Sequence, residues 1–470
     1  MVEARGVQRV NLPTIGWFCQ AVRGKISDLK PDTPLGPISI DTRTIRERDT
    51  FCALTADRDG HDFVPEAFKR GAKAAIVESE WMNSEIAKPF RNQLIGVDDT
   101  LTALRIAAQA WRNTLTMPII AITGTNGKTS TKDLTLRLLS LRYKVAGTQG
   151  NLNNEIGLPL TILSIGSDCG AAVVELGASH IGDIQNLCEI CQPTHGLVTS
   201  IGKAHLQGFG NLAAVAQAKG ELYGFLSEQS TAFVPTDDEL VRKQAKRNPK
   251  KVGYGFQLPP ADWDGEYHRG VNLNFDALGR AHFTFDGEEL EVGIPGRPAA
   301  LAALAAVTIA VSMGIAKGDC VKTLVEWKGV PGRGWVEQIG GVVLLDDCYN
   351  ANPGSMRAAL ETLSLLSGEK KLAILGDMNE LGSFAEAEHR TLGRELGLFG
   401  VQRGIFLGSF ARIAAQEARQ GGVEAFAFET YEELDKRLQN LAADFSAILV
   451  KGSRGMRMER VVDKLKQVLA

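Results

Sequence analysis

Short, uninterrupted apolar runs recur along this chain at the spacing of strands separated by helices. PIIAIT (118–123), AAVVEL (171–176) and HGLVTSI (195–201) each lead into a polar loop, and LAILGD (372–377), GIFLG (404–408) and AILVKGS (447–453) repeat the arrangement. Runs without polar alternation belong to strands buried on both faces of a parallel sheet. Between 252 and 294 the pattern turns to alternation: VNLNF (271–275) alternates, and FTFDGEELEV (283–292) carries Asp286-Gly287, a hairpin signal. An antiparallel patch is expected there. The uncharged, Ala-rich run 299–316 predicts a buried helix rather than a membrane span. Upstream, ISIDTRTI (38–45), FCAL (51–54), a helical stretch near 64–71 and AAIV (74–77) form a small α/β unit, and Met117-Pro118 breaks the helix that follows it.

The pattern predicts an α/β chain of three domains. An N-terminal α/β domain covers 1–115. A central domain, 116–328, holds a phosphate-loop-type parallel sheet with the antiparallel patch. A doubly wound, Rossmann-like domain covers 329–470. Composition changes this picture little. Of 470 residues, 44% are hydrophobic and 23% charged, which is globular usage, and a net charge of −3 provides no basic field for nucleic acid or anionic lipid. Seven cysteines are too few, and odd in number, for a disulfide framework, so a cytoplasmic protein is expected. The first residues, MVEARGVQRVNLPTIGWF, lack the apolar stretch of a secretory signal.

The candidate chemistry concentrates at strand ends. Gly124-Thr125-Asn126-Gly127-Lys128-Thr129-Ser130 follows an apolar strand and opens a helix of about 15 residues, the context a phosphate loop requires. Lys128 would reach the β/γ-phosphates and the Thr129 hydroxyl a Mg²⁺ ion, although Ile122 occupies the position of the usual first glycine. Glu175 ends a strand, where a carboxylate suits a hard cation, but on residue type alone such a glutamate is more often a cap or ion-pair partner. His205 taken alone is more often structural, and Lys219 in AQAKGELY reads alone as a solvated helical lysine. Cys188-x-x-Cys191 has no second pair and no histidine at zinc spacing, so it reads as coincidence on a helix face. In LLDDCYNANPGSM (344–356), Asp347 could contact a ribose or a metal, whereas Asn350 and Asn352 equally suit an Asx-rich turn. GDMNELG (376–382) sits at a similar strand-to-helix junction, as does KGSR (451–454), where Lys451 and Arg454 could bind a carboxylate.

Taken together and in order, these motifs resemble the Mur ligase family over almost the whole chain. GTNGKTST, GNLNNEIGLPLTIL (150–163), VELGASHIGDI (174–184), AHLQGFGN (204–211), AKGELY (218–223), VPGR (330–333), DDCYNANPGSM, GDMNELG and LVKGSR look like the family's blocks. KGSR, with no DNPR element, favours the branch that adds D-alanyl-D-alanine to UDP-N-acetylmuramoyl-tripeptide over the branch that forms the tripeptide. The resemblance implies ATP and Mg²⁺ as cofactors, an acyl-phosphate intermediate, a monomer, and a place in peptidoglycan precursor synthesis.

The resemblance also implies residue roles. Residues 124–130, Arg333 and Asp347 would meet ATP, and Thr129, Glu175, His205 and a carbamylated Lys219 would hold metal. Lys128, Glu175, His205 and Lys219 would form the catalytic set. Asp41, Thr42 and Arg43 would lie near the UDP-sugar, with Asn153, Asn154, Asn350, Asn352, Lys451 and Arg454 toward the peptide substrates.

The chain departs from the family pattern after Pro295-Gly296-Arg297. Pro298, Ala299, Ala300, Leu301 and Ala302 stand where a His-Asn-x-x-Asn element usually approaches adenine, so weaker selection for the base is expected. Pro235 likewise replaces an Asn. Two alternatives therefore remain: a paralogous ligase with a different amine substrate, or a weakened, non-catalytic homologue acting as a binding protein.

Overall fold

The computed structural model describes residues 12–469, so most of the N-terminal stretch searched for a signal lies outside it. The described residues form three sheets, of five, nine and six strands, and fall into two compact units. One comprises the chain up to Ala121 with Tyr143–Gly177 and Asp183–His195; the other comprises Ile122–Arg142, Ala178–Gly182 and Gly196–Ala470.

In the first unit the five-stranded sheet runs Lys25–Ile26, Leu94–Val97, Ala74–Glu78, Thr50–Cys52, Ile38–Ser39. Its pairs are parallel except the first. The helix Thr100–Thr114 starts at Asp99, whose carboxylate accepts the Thr102 N–H at 2.7 Å, and ends before the Met117-Pro118 break. Its Trp111 donates to the Ile165 carbonyl at 2.9 Å. The buried Arg112 donates to the carbonyls of Cys191, Leu115 and Gln192 at 2.7–2.9 Å. A charge is tolerated at that depth because carbonyl oxygens surround it. Strands Val145–Gly147 and Ala171–Glu175 pair in parallel, and all five residues of the second are buried, as its apolar run predicts. Cys188 and Cys191 lie buried on one helix, Asp183–Cys191, and every cysteine is a free thiol.

In the second unit the strands Thr231–Pro235, Lys251–Gly255 and Glu266–Phe275 pair in parallel. Antiparallel pairing begins only with Glu266–Phe275, Arg280–Phe285 and Glu288–Pro295, later than the change of texture at 252. The physical reason is burial: Lys251–Gly255 is buried at every residue, whereas Arg280–Phe285 alternates. Asp286 and Gly287 take φ of 47° and 93°, the two left-handed positions of a tight hairpin turn.

The Ala-rich run forms the buried helix Arg297–Ser312, packed against the helix Lys128–Leu139 that follows the Gly-rich turn. Among the described residues, no helix is long and apolar enough to cross a membrane. The six-stranded sheet runs Trp335–Ile339, Val342–Asp347, Ala447–Lys451, Lys371–Gly376, Arg403–Leu407, Glu424–Phe428. It is parallel beyond its first hairpin, with helices between its strands.

Candidate active site

The Gly-rich turn takes its shape from outside itself. Gly127 has φ of 84° and begins the helix Lys128–Leu139 without a side-chain cap of its own, and a helix N-terminus of this kind suits an anion. Gly124 has φ of 139°, and a Cβ there would run into the Thr199 hydroxyl. The segment 199–202 clamps the turn. Thr125 N–H donates to the Ser200 carbonyl at 2.8 Å, Asn126 N–H to Ser200 Oγ at 3.0 Å, and Thr199 Oγ1 to the Asn126 carbonyl at 2.6 Å. Lys128 Nζ lies over the turn, 2.7 Å from the Gly124 carbonyl and 3.2 Å from that of Thr125.

Asn126 also meets the far part of the chain. Its amide and that of Asn352 exchange hydrogen bonds at 2.8 and 3.4 Å. Asn352 is meanwhile the N-cap of the helix Pro353–Leu365, in a capping box with Ser355. The Asx-turn reading of Asn352 is thus correct locally, and the same side chain reaches the Gly-rich turn.

Two further predicted residues sit in the same unit. Lys219 is buried on the helix Leu212–Phe225, with Nζ 3.4 Å from the Ala178 carbonyl and 5.6 Å from the Phe209 ring centroid. The solvated-lysine reading fails for it. His205 adopts φ of 51°, and its Nδ1 is hydrogen-bonded to the Glu380 carboxylate, whose pKa that bond lowers. Nearby, Lys203 pairs with Glu388 at 2.7 Å.

In the other unit, Glu175 is buried at its strand end. Its Oε1 accepts the Asn153 amide at 2.8 Å and its N–H donates to Thr148 Oγ1 at 3.0 Å. Asn154 is structural in the same loop, accepting the Gly157 N–H at 2.9 Å. Asp41 grips Arg43 through both carboxylate oxygens at 2.6–3.1 Å and accepts its N–H at 2.9 Å, which holds the Asp41 carboxyl below its usual range. Thr42 opens the short 3₁₀ turn that this grip caps.

The six-stranded sheet contributes a second cluster at the carboxyl ends of its strands. Lys451 is buried, and its ammonium meets Asp347 at 2.6 Å and the Asn350 carbonyl at 2.9 Å, because parallel register sets Asp347 beside Lys451. Asn350 Oδ1 also accepts the Arg454 N–H at 3.3 Å. Arg333 and Arg454 both lie over the Tyr349 ring, at 4.0 and 5.4 Å from its centroid. Ala299 and Ala302 are buried in the first two turns of the Ala-rich helix.

Sequence reasoning named no residue from GDMNELG, yet the loop is strongly built. Asp377 accepts the N–H groups of Ser409 and Phe410 at 2.7 and 3.2 Å, and Asn379 N–H donates to Ser453 Oγ at 2.7 Å. His389 is buried. Its Nδ1 donates to the Ala385 carbonyl at 2.7 Å and its Nε2 accepts the Met378 N–H at 3.0 Å. The signal was the motif's position after a strand; only its side chains had no assigned chemistry.

Residues 122–310 match the Mur ligase middle domain and 334–454 the Mur ligase glutamate ligase domain. The UDP-N-acetylmuramoyl-tripeptide–D-alanyl-D-alanine ligase of Bacillus subtilis is 32% identical over 96% of this chain and 98% of its own. The Escherichia coli ligase of the same name is 35% identical over 93% and 95%. A crystal structure of MurF from Acinetobacter baumannii superposes with a TM-score of 0.83 at 31% identity, covering 97% of this chain and all of its own. MurF from Thermotoga maritima in complex with ADP gives 0.77 at 27% identity, covering 93% and 98%.

Burial lowers the His389 pKa from its usual 6.5, and protonation would also forfeit the Met378 hydrogen bond despite Asp377 Oδ1 lying 3.7 Å away. The folded protein thus binds this proton less readily than the unfolded chain. The stabilisation is complete above about pH 6.5 and is lost as pH falls from there through the folded value. Denaturant titrations between pH 7 and 5 are expected to show falling stability, with a shallower fall in His389→Gln; equal slopes in the two proteins would contradict this assignment.

Proposed function

Because this chain belongs to the Mur ligase family, we infer that it joins D-alanyl-D-alanine to UDP-N-acetylmuramoyl-tripeptide with ATP as the second substrate and Mg²⁺ as its partner ion. The observation that carries this reading is the near full-length match to ligases of that name, and the Gly-rich turn ahead of the helix Lys128–Leu139 supports it.

The chemistry follows in two steps. The terminal carboxylate of the tripeptide attacks the γ-phosphorus of ATP, and ADP leaves. The amine of D-alanyl-D-alanine then attacks the acyl carbon. The tetrahedral intermediate loses the amine proton and expels phosphate, forming the amide. Phosphoryl transfer is mostly positioning and charge neutralisation. The N–H groups at Gly127–Ser130 and the Lys128 ammonium supply both in our reading. Arg333 and Asp347 would contact the nucleotide, with Lys451 holding Asp347 in place. Asp41, Thr42 and Arg43 would meet the UDP-sugar, and Asn153, Asn154, Asn350, Asn352 and Arg454 would line the path to the peptide. The division into 1–115, 116–328 and 329–470 belongs to the same proposal.

Thr129, Glu175, His205 and Lys219 are the proposed holders of Mg²⁺. The residue types support this reading: a hydroxyl, a carboxylate and, were Lys219 carbamylated, a second carboxylate-like group are oxygen donors of the kind a hard cation takes. When bound, the ion neutralises charge on the phosphates. Lys219 is buried on its helix, and its reaction with CO₂ to give a carbamate belongs to the same proposal. ATP and a UDP-linked substrate support a cytoplasmic location, and we propose a monomer; cell fractionation and light scattering check both.

Phosphate release is expected only when UDP-muramoyl-tripeptide, D-alanyl-D-alanine, ATP and Mg²⁺ are all present, with UDP-muramoyl-pentapeptide as product. A folded enzyme that forms no amide from this pair would overturn the reading in favour of a paralogue or a binding protein. In the same assay Lys128→Ala should lose at least about a hundredfold in rate, about 2.7 kcal/mol of transition-state stabilisation. GTP should compete with ATP more effectively than in a strictly adenine-selective enzyme, because Ala299 and Ala302 offer no amide; two lost hydrogen bonds predict roughly 5- to 150-fold weaker discrimination.

Lys219→Ala should nearly abolish turnover, with partial recovery in added formate or acetate. Intact mass of the wild type under CO₂-replete conditions should show the carbamate, and a persistently plain amine would contradict it.

A further inference from the structure

His205 and Glu380 are non-glycine residues with left-handed backbones, φ of 51° and 62°, and they face each other. One lies in the stretch matching the Mur ligase middle domain, the other in the stretch matching the glutamate ligase domain. Such conformations are costly for residues with a Cβ and persist where the surroundings over-determine them. Here they are over-determined from both sides. The Glu380 carbonyl accepts the Gln207 N–H at 3.0 Å, and its carboxylate takes His205 Nδ1. The His205 carbonyl accepts the N–H groups of Gly208 and Phe209 at 2.9 and 3.0 Å. On the other side, the residues preceding Glu380 are tied down by Met378 to His389 at 3.0 Å and by Asn379 to Ser453 at 2.7 Å.

We propose that Glu380 is a positioning residue: by accepting the Nδ1 proton of His205 it fixes the ring's orientation and tautomer, so that Nε2 carries the lone pair. This rests on the reading of His205 as a metal ligand. A carboxylate behind a ligating imidazole is a general device for setting which nitrogen donates to the ion. The carboxylate here comes from a distant part of the sequence, on a loop seated through His389 and Ser453. Ligand geometry at His205 therefore depends on the seating of 376–382. The Lys203–Glu388 pair at 2.7 Å and the Asn126–Asn352 exchange join the same two stretches.

Two measurements on the full-length enzyme test this. Protein labelled with ¹⁵N-histidine, with His205 assigned by its loss in His205→Ala, should show the Nδ1–H tautomer. Glu380→Ala should shift that signal toward Nε2–H, while Glu380→Gln, whose amide oxygen still accepts a proton, should retain it. An unchanged tautomer in folded Glu380→Ala would overturn the proposal. Mn²⁺ binding in the presence of a non-hydrolysable ATP analogue, followed by electron paramagnetic resonance, is the second measurement. It should weaken in His205→Ala and by about 10- to 100-fold in Glu380→Ala. Full binding in Glu380→Ala with weakened binding in His205→Ala would overturn the positioning role. Full binding in His205→Ala would overturn the metal-ligand reading on which it rests.

Discussion

A Gly-rich turn without side-chain caps of its own needs its shape imposed from outside. That constraint organises the structure around residues 124–130. Gly124 and Gly127 supply the backbone freedom, and the hydroxyls of Thr199 and Ser200 hold the loop through Asn126. The fold makes this possible because Thr199 N–H donates to the Thr123 carbonyl at 2.9 Å, placing the two strand ends side by side. Strand ends of an open α/β sheet are where such loops converge.

The same constraint explains why the glutamate ligase stretch matters to the phosphate loop. Asn352 caps its own helix and meets Asn126, so one side chain serves both secondary structure and the loop. An acyl phosphate is lost to water unless the site closes around it. Bonds joining residues 126, 203 and 205 to residues 352, 388 and 380 are the sort of contacts that closure would form. One is an ion pair, one an imidazole–carboxylate hydrogen bond, and one a reciprocal amide exchange. None is an apolar seam, so the contacts are suited to forming and breaking in each turnover.

Much of this was legible in the sequence because buried parallel strands write continuous apolar runs, and because Asp286-Gly287 encodes a hairpin turn by its backbone preference alone. The strands Trp335–Ile339 and Glu424–Phe428 were not legible. They lie at the edges of the six-stranded sheet and are only partly buried, so their patterns carry no continuous run. Lys219 was hidden for the opposite reason: its helix buries a residue type that is nearly always solvated. Glu380 and His389 were invisible as chemistry because their partners, His205 and Met378, are defined by tertiary placement, and no spacing in the sequence reports it.

The account stands on an acyl phosphate formed from the tripeptide carboxylate. The direct measurement uses UDP-N-acetylmuramoyl-tripeptide labelled with ¹⁸O in both oxygens of its terminal carboxylate, turned over with ATP and D-alanyl-D-alanine. Formation of the acyl phosphate followed by amide formation must leave one carboxylate oxygen in the departing phosphate. Mass analysis of the released inorganic phosphate should therefore find one ¹⁸O per molecule. Unlabelled phosphate alongside amide product would contradict the mechanism.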